Sequence, residues 1–437
     1  MTTARKLFGT DGVRGEAGTF LTAELATSLG RATTASLEAE RPQVLIVRDT
    51  RESGPMLEAA LAAGIAAAGG DALLAGVLPT PAAAILVKRL GLDLAAVVSA
   101  SHNPFHDNGI KFFDGRGVKL ADEVEARIEA LIDAAPAAER AGRVTELNGG
   151  LEDYLRELER AFPLDLEGRR VVLDCANGAT YRAAPAIFER LGAEVELIGA
   201  EPDGRNINAG CGSTHVEALA ERVAASEAEI GFAFDGDGDR VLAVDGSGRV
   251  HDGDELIALA ARGMAARGEL EGGVVVTVMS NYGFHQAMEE AGIEVAVTQV
   301  GDRYVIDEMR RRGWKLGGEQ SGHIIASDFV ATGDGIAAAL TTIRELGGAR
   351  LEDAVPMRKL PQVLVNVRVA NREAVGDAAA VWEAVEREGA GLEGRGRVLL
   401  RPSGTEPLVR VMAEAPTEEE AEAVCARLAD LVRRELA

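Results

Sequence analysis

The feature that most constrains the fold is a layout that occurs three times: an apolar strand, a helical stretch, and a second strand that ends in a small, polar loop. The first strands are rich in β-branched residues, as buried strands of α/β folds are, and lie at 44–47, 171–173 and 274–278. The second strands end in the loops 99–104, 235–240 and 317–323. Because ligands bind beyond the carboxyl ends of strands in open α/β sheets, we expect the three loops to face one crevice.

The C-terminal part of the chain has a different pattern. Valines alternate with other residues over 363–369, which predicts a half-buried strand, and a helix over about 373–388, two short strands and a last helix follow. Thr417 and Glu420 have the spacing of a capping box for that last helix.

The sequence therefore predicts an α/β protein: three similar mixed-sheet α/β domains around a central crevice, followed by a smaller α+β domain. The small-residue segments 134–142 and 148–150 break the pattern like a linker between the first two units. The expected domains are 1–150, 151–253, 254–358 and 359–437, and each contains one of the polar loops described below.

Composition excludes several classes of function. The 437-residue chain has 46 basic and 70 acidic residues, a net charge of −24, which disfavours non-specific binding to nucleic acid or to an anionic membrane. No apolar run is long enough to span a bilayer, and the start lacks the pattern of a signal peptide. The three widely spaced cysteines fit a reducing compartment. We expect a cytoplasmic protein that binds neither nucleic acid nor membranes.

The aspartate loop at 235–240 indicates a cation site. Asp235, Asp237 and Asp239 alternate with glycines, so three carboxylates can converge on one hard cation such as magnesium or calcium. An EF-hand would need glycine at its sixth position and glutamate at its twelfth, but Arg240 and Gly246 stand there. A solvated acidic turn is the simpler alternative.

Ser101 follows the apolar run 95–98, so the end of a strand would present its hydroxyl to the crevice. The Gly-x-Ser-x-Gly elbow of acyl-transfer enzymes is absent, and the adjacent His102 is not by its position a base for Ser101. Next to a three-carboxylate cation site, phosphoryl transfer fits this serine better than acyl transfer. On the hexapeptide alone, a serine that caps a turn would be the preferred interpretation.

Two further loops suit a phosphorylated sugar. Near the C-terminus, forked arginine donors, hydroxyls and backbone N–H groups suit a phosphate monoester, and they belong to Arg401, Ser403, Gly404, Thr405 and Arg410. In the loop 317–323, a carboxylate, a hydroxyl and an imidazole can bind sugar substituents, and they belong to Glu319, Ser321 and His323. A plain Ser-Gly turn and a buried structural histidine are the respective alternatives.

Taken together and in this order, the four loops resemble those of the α-D-phosphohexomutase superfamily over nearly the whole chain. The resemblance implies that Ser101 carries the phosphoryl group and that Asp235, Asp237 and Asp239, with Ser101, hold Mg²⁺. It also implies that the 317–323 loop reads the sugar and that the loop between Arg401 and Arg410 holds the phosphate that does not react.

The superfamily also has an arginine in its opening motif and a lysine soon after the serine, which match Arg14 and Lys111. Arg14 and Arg240 would neutralise charge on the transferring group, and Lys111 and His323 would move the proton of the sugar oxygen. Four features resemble the branch that acts on glucosamine phosphates: the segments 8–14, 174–180 and 206–215, and Gln320.

The resemblance therefore implies an isomerase that interconverts glucosamine 6-phosphate and glucosamine 1-phosphate through a 1,6-bisphosphate and feeds UDP-N-acetylglucosamine synthesis. A glucosamine or glucose 1,6-bisphosphate would be an activator, the partner would be a hexosamine phosphate, and a homodimer is left open. The alternatives are the same chemistry on mannose or glucose phosphates and a non-catalytic sugar-phosphate sensor, which would not need Ser101, three aspartates and Lys111 together.

Overall fold

A computed structural model of the chain describes residues 7–9, 11–135, 138–402 and 407–436. The chain forms two compact units: residues up to 278 together with 295–355, and residues 279–294 together with those from 356 onward. Three mixed sheets lie in the first unit, and one small antiparallel sheet lies in the second.

The first sheet has six strands in the order β1-β5-β4-β2-β3-β6. Its elements are β1 (Val13–Glu16), α1 (Ala23–Ala35), β2 (Gln43–Arg48), α2 (Gly54–Ala67), β3 (Asp71–Val77), α3 (Thr80–Arg89), β4 (Leu94–Val98), β5 (Asp107–Asp114), α4 (Asp122–Leu131) and β6 (Val144–Glu146). Strands β3, β2 and β4 are parallel, whereas β5 runs antiparallel to β4 and to β1. Val44, Ile46, Leu61 and Ile65 belong to one buried cluster that joins this sheet to α2.

The second sheet has five strands in the order β11-β10-β9-β7-β8. Its elements are α5 (Gly150–Ala161), β7 (Arg170–Asp174), α6 (Ala183–Arg190), β8 (Glu194–Ile198), α7 (Glu217–Ala224), β9 (Ile230–Phe234), β10 (Val241–Asp245) and β11 (Val250–His251). Strand β7 is parallel to β8 and β9, and β10 returns antiparallel to β9. The turn between β9 and β10 is the aspartate loop, which therefore lies at the carboxyl end of a buried strand.

The third sheet has four strands in the order β13-β12-β14-β15. The elements of this region are α8 (Gly253–Ala266), β12 (Gly273–Thr277), α9 (Tyr282–Glu290), β13 (Glu294–Thr298), α10 (Asp302–Arg312), β14 (Leu316–Gly318), β15 (Ile324–Ala326), α11 (Gly335–Leu346) and α12 (Leu351–Ala354). The tight connection from β14 to β15 contains the predicted sugar loop.

The smaller unit contains a three-stranded antiparallel sheet in the order β16-β18-β17. Its elements are β16 (Gln362–Arg368), a 3₁₀ helix (Arg372–Asp377), α13 (Ala379–Gly391), β17 (Arg397–Pro402), β18 (Leu408–Glu414) and α14 (Glu418–Leu436). Helix α9 belongs to this unit: the Tyr282 N–H donates to Glu414 Oε2 (2.7 Å), and Asn281 exchanges two hydrogen bonds with the backbone of Leu360 (2.9 and 3.0 Å).

The predicted fold class is confirmed: three α/β regions, each with a mixed sheet, are followed by a small α+β region with an antiparallel sheet. The three predicted first strands correspond to β2, β7 and β12, and the Glu420 N–H donates to Thr417 Oγ1 (3.2 Å) in the predicted cap of α14. The four domain boundaries stay a prediction. In the described residues, no helix has both the length and the apolar character that crossing a membrane requires.

One local prediction was wrong. The single helix expected over about 373–388 is a 3₁₀ turn followed by α13, because Gly376 and Asp377 are poor helix formers. Strand β6, which pairs with β3 in parallel, lies between the two small-residue segments. The break at 148–150 is correct, since Gly149 adopts φ 88° immediately before α5.

Candidate active site

The Ser101 hydroxyl lies at the carboxyl end of β4 and points at the aspartate loop. Ser101 is buried, with 1% of its surface exposed, and its Oγ donates to Asp235 Oδ2 at 2.5 Å. Its backbone is left-handed (φ 51°), a conformation that non-glycine residues rarely adopt, and its N–H donates to Ser99 Oγ (3.0 Å). The local turn thus aims the hydroxyl into the site.

A buried arginine that the sequence analysis did not select holds this turn. Arg51 follows β2 and is completely buried, and its Nη2 donates to the carbonyls of Ser101 (2.9 Å) and Asn103 (2.8 Å). Asp49 pairs with Arg51 Nε (2.8 Å) and accepts from Ser99 Oγ (2.5 Å). The signal that could have identified them is their position in the polar turn after the first predicted strand.

The three predicted carboxylates converge. One oxygen of each of Asp235, Asp237 and Asp239 lies within 4.8 Å of the others, and all three side chains are buried. The intervening glycines are required: a Cβ on Gly236 would lie 2.5 Å from the Ser101 carbonyl, and Gly238 has φ 74°. Compact packing of the two loops therefore depends on both glycines.

The carboxylates are not fully satisfied by the protein. Burial and the charges of Asp237 and Asp239 raise the pKa of Asp235 well above its usual value. Asp237 Oδ1 and Asp239 Oδ1 are buried without a hydrogen-bond partner in the described part of the chain. Three converging oxygens with unused lone pairs fit a hard divalent cation, and the triad could bind one.

Lys111 supplies part of the missing positive charge. Its Nζ, on β5, lies 2.8 Å from Asp237 Oδ2 and 3.5 Å from Asp239 Oδ2. Although burial opposes its charge, these carboxylates raise the pKa of Lys111. Thr80 Oγ1, a residue that the sequence analysis missed, also donates to Asp237 Oδ2 (2.6 Å). Lys111 therefore stays protonated beside the triad.

Arg14 and Arg240 place two guanidinium groups in the same region. Arg14, on β1, pairs with Asp11, whereas Arg240 donates its backbone N–H to Asp235 Oδ1 (3.2 Å) and has its Nε 3.8 Å from Asp239 Oδ1. The Nε atoms of both arginines are buried and lack a hydrogen-bond partner among the described residues. Burial, Arg240 and Arg14 lower the pKa of His102 to about 4, so His102 is neutral at pH 7. Guanidinium donors that lack a hydrogen-bond partner beside a serine favour the binding of an anion there.

The sugar loop is only partly directed at this cluster. His323 is buried, with Nδ1 3.6 Å from Asp239 Oδ1, and the Gly333 N–H donates to its Nε2 (3.0 Å). Glu319 is half-buried and accepts from the Gly301 N–H (2.9 Å), whereas Ser321 is exposed. His323 thus lies beside the aspartate loop, whereas Glu319 and Ser321 lie at the accessible side.

A further charged link that sequence reasoning missed lies beside the site. Lys119 Nζ lies 2.5 Å from Asp11 Oδ1 and 3.0 Å from Asp302 Oδ2, so it connects the first sheet's region to the start of α10. Asp302 stands in the 300–304 segment that also resembles a superfamily loop, which is the only sequence signal for it.

The predicted phosphate loop belongs to the smaller unit. Arg401 on β17 and Arg410 on β18 are direct cross-strand partners, and Arg410 Nε is buried without a partner in the described residues. Burial and the charge of Arg410 lower the pKa of Arg401. Two like charges at one cross-strand position destabilise each other, so the pair favours an anion. Ser403, Gly404 and Thr405 lie outside the described residues.

Family models match nearly the whole chain. The phosphoglucomutase/phosphomannomutase alpha/beta/alpha domains I, II and III match residues 5–139, 152–248 and 252–355, and the C-terminal domain of the same family matches 364–431. Phosphoglucosamine mutase from Pelotomaculum thermopropionicum is 51% identical over 98% of this chain and 99% of its own. The Geobacillus kaustophilus phosphoglucosamine mutase is 50% identical, with 99% of both chains covered.

Solved structures share the fold. A phosphoglucomutase/phosphomannomutase family protein from Burkholderia thailandensis matches with a TM-score of 0.81 at 26% identity, over 98% of this chain and 96% of its own. Aspergillus fumigatus N-acetylphosphoglucosamine mutase, solved with GlcNAc-6P and magnesium, matches with a TM-score of 0.68 at 19% identity, over 99% of this chain and 96% of its own.

Proposed function

Because the chain belongs to the phosphoglucomutase/phosphomannomutase family, and within it to the phosphoglucosamine mutases, we propose that it interconverts glucosamine 6-phosphate and glucosamine 1-phosphate through phosphoserine at position 101. The family assignment and the enzyme class, an isomerase, agree with the sequence prediction. The product would feed UDP-N-acetylglucosamine synthesis. The observation that supports the mechanism best is the 2.5 Å hydrogen bond from Ser101 Oγ to a buried cluster of three carboxylates.

In each half-reaction one phosphorus–oxygen bond forms and one breaks. The phosphoryl group leaves Ser101 Oγ for the free hydroxyl oxygen of the sugar phosphate, and the proton of that hydroxyl passes to the protein. The resulting 1,6-bisphosphate then reverses its orientation in the site, and its other phosphoryl group is transferred to Ser101 Oγ. Such chemistry depends on positioning and charge neutralisation.

The residues around Ser101 supply both requirements. The buried Nε atoms of Arg14 and Arg240 have no hydrogen-bond partner in the described residues and would bind oxygens of the transferring group. Lys111 is held protonated by Asp237 and can return a proton to the leaving oxygen. His323 has one ring nitrogen occupied by the Gly333 N–H, so Nδ1 is the atom through which it would act in proton transfer.

We assign Mg²⁺ to the triad of Asp235, Asp237 and Asp239, joined by the oxygen at Ser101. A bound Mg²⁺ would stabilise negative charge on the transferring phosphoryl group. The Oδ1 atoms of Asp237 and Asp239, which lack a hydrogen-bond partner in the described residues, support this assignment. A glucosamine or glucose 1,6-bisphosphate would act as an activator by phosphorylating Ser101.

Substrate recognition is assigned to the remaining predicted residues. Glu319, Ser321 and His323 would bind the sugar, and Arg401, Ser403, Gly404, Thr405 and Arg410 would bind the phosphate that does not react. Because that phosphate is at C6 in one half-reaction and at C1 in the other, one clamp would serve both substrates. We propose a cytoplasmic enzyme whose partner is a small hexosamine phosphate rather than nucleic acid or membrane.

An assay of the purified protein with three substrate pairs tests the proposal. We expect the highest kcat/KM on glucosamine phosphates and lower values on glucose and mannose phosphates. Higher kcat/KM on a glucose or mannose phosphate would identify that sugar as the substrate. Binding of all three without turnover, in Mg²⁺ and with 1,6-bisphosphate present, would indicate a sensor and contradict the proposal.

A further inference from the structure

Asn208 is a buried side chain that the reaction scheme above does not use. It lies in the polar segment after β8, is 7% exposed, and has a left-handed backbone (φ 57°). Its Nδ2 donates to the carbonyl of Ser101 (2.9 Å) and to that of Asn103 (3.2 Å). Asn208 therefore reaches from the second sheet's region to the backbone of the nucleophile itself.

The same carbonyls accept from the other side. Arg51 Nη2 donates to Ser101 O (2.9 Å) and Asn103 O (2.8 Å), so a guanidinium and an amide hold the serine turn between them. Ser101 itself has φ 51°, and a left-handed non-glycine residue persists only where its surroundings enforce it. The two donors are the groups that enforce it on the carbonyl side of Ser101.

Asn208 also lies directly against the aspartate loop. A Cβ on Gly236 would lie 2.7 Å from Asn208 Nδ2 and 2.5 Å from the Ser101 carbonyl, so the three groups are in close contact. Asn208 Oδ1 is buried and has no partner in the described ranges, so the donor half of the amide is the part that is used. This arrangement fixes the distance between the serine turn and the triad.

We propose that Asn208 is a positioning residue for phosphoryl transfer: its amide holds the Ser101 carbonyl and thereby aims Ser101 Oγ at the aspartate loop. The inference rests on the proposed function, because it assigns Asn208 to the step in which Ser101 accepts a phosphoryl group. The amide of Asn208 donates to the backbone carbonyls of Ser101 and Asn103, so it acts through the backbone of the serine turn.

Two substitutions separate the amide from the backbone. Asn208→Gly removes the amide but tolerates φ 57° better than alanine would, and Asn208→Asp keeps the size of the side chain but replaces the donor with an acceptor. Asn206→Ala is the matched control. Asn206 is hydrogen-bonded in the same segment, to Glu201 O (2.9 Å) and the Asp203 N–H (3.0 Å), and makes no contact with Ser101 in the described structure.

The measurement is the single-turnover rate at which Ser101 is phosphorylated by glucosamine 1,6-bisphosphate, together with steady-state kinetics, Mg²⁺ titration and thermal unfolding. A misplaced nucleophile loses rate but not binding, so we expect kcat and the single-turnover rate to fall about 10- to 100-fold in both Asn208 variants. The KM for glucosamine 6-phosphate and the Mg²⁺ affinity should change less than about threefold, and the control should retain kcat within the same factor.

Three results would overturn the inference: normal single-turnover rates in Asn208→Gly, an equal loss in Asn206→Ala, or unfolding of both Asn208 variants, which would make the residue structural. If Asn208→Gly alone fails to fold, the single-turnover rate of Asn208→Asp tests the inference, and a normal rate in that variant would overturn it. Failure of the proposed function is distinguishable, because the unaltered protein would then not turn over glucosamine phosphates or would prefer another hexose phosphate.

Discussion

At the residue scale, the site depends on one hydroxyl held in an unusual backbone conformation. Ser101 has the left-handed φ of 51° and a 2.5 Å hydrogen bond to Asp235, so its conformation serves the direction of its Oγ rather than packing of the core. A buried serine that only capped a turn would donate to a nearby carbonyl and not to a carboxylate 134 residues away.

The first prediction concerns this hydroxyl. Ser101→Ala should lower kcat by at least about 10³-fold, because no atom remains to accept the phosphoryl group, while the thermal midpoint changes little because the Cβ is retained. Steady-state kinetics and thermal unfolding measure the two effects. Turnover close to that of the unaltered protein would refute the phosphoserine mechanism.

The second prediction concerns the cation. Excess chelator should remove activity, added Mg²⁺ should restore it, and Asp237→Ala should lose both activity and the heat of Mg²⁺ binding, because it removes one of the three converging carboxylates. Asp307→Ala, which alters an exposed carboxylate on α10, is the control. Full activity in excess chelator would be incompatible with the assignment.

The residues that could be predicted from the sequence are those that stand in short glycine- and aspartate-rich turns after strands. Asp235, Asp237 and Asp239 do converge, as the alternation with glycine indicated. Arg51 also stands in a polar turn after a strand, but neither its contact with the Ser101 turn nor that of Asn208 could be found in that way. Their role is to bind backbone carbonyls of a segment at least 50 residues away, and no local pattern records that contact.

At the element scale, a buried charged network joins β10, β11 and the start of α8. His251 is completely buried, and its Nε2 and Nδ1 lie 2.8 Å from Asp245 Oδ2 and 3.1 Å from Glu255 Oε1. Glu255 also forms the capping box of α8 with Asp252 and pairs with Arg249 (2.6 Å). Both ring nitrogens of His251 are therefore paired inside the fold.

The third prediction follows from this network. Burial opposes the charge, but Glu255 and Asp245 raise the pKa of His251 above its usual value of 6.5. A folded pKa above the unfolded one contributes stability that is fully present below pH 6.5 and is lost as the pH rises through the folded pKa. His251→Asn should therefore lower the thermal midpoint more at pH 6 than at pH 9.

The control for this measurement is His106→Asn, which alters an exposed histidine. An equal effect of His251→Asn at both pH values would show that folding does not raise the pKa of His251.

Elements were predictable where one strong periodic signal acted and not where weak signals competed. The β-branched runs gave β2, β7 and β12 within one or two residues. The region 372–391 contains helix-forming residues on both sides of Gly376 and Asp377, two poor helix formers, so the pattern alone did not show that the helix would break there. The three-residue strand β6 forms only because the edge of β3 is available to it.

At the scale of the whole molecule, the chemistry is shared between distant parts of one chain. Ser101 follows the first sheet, the three aspartates lie on the second, and His323 follows β14 in the third. This division was predictable, because the threefold layout places one polar loop after each second strand. The grouping of α9 with the C-terminal unit was not, because it depends on Asn281 and Glu414, which no motif connects.

The fourth prediction concerns the C-terminal clamp. Arg410→Ala removes one of two adjacent guanidinium groups, and a charge-assisted hydrogen bond contributes about 1.5–3 kcal/mol, so kcat/KM should fall roughly ten- to a hundred-fold. Loss is expected with both the 1-phosphate and the 6-phosphate, because each presents its unreactive phosphate to the clamp. Phosphorylation of Ser101 should persist.

Steady-state kinetics in both directions measure this loss, with Arg434→Ala on α14 as the control. An effect confined to one isomer would show that Arg410 belongs to one substrate's reacting phosphate and not to a shared clamp.

The most direct test of the phosphoserine mechanism is to identify the residue that holds the phosphoryl group during turnover. The protein is mixed with glucosamine 1,6-bisphosphate and Mg²⁺, quenched within one turnover, and analysed by intact mass and by peptide mapping. We expect one added phosphoryl group, on Ser101, which disappears when glucosamine 6-phosphate is added and is recovered as bisphosphate in solution. Turnover of the sugar phosphates with no phosphoryl group on Ser101, or with one on another residue, would contradict it.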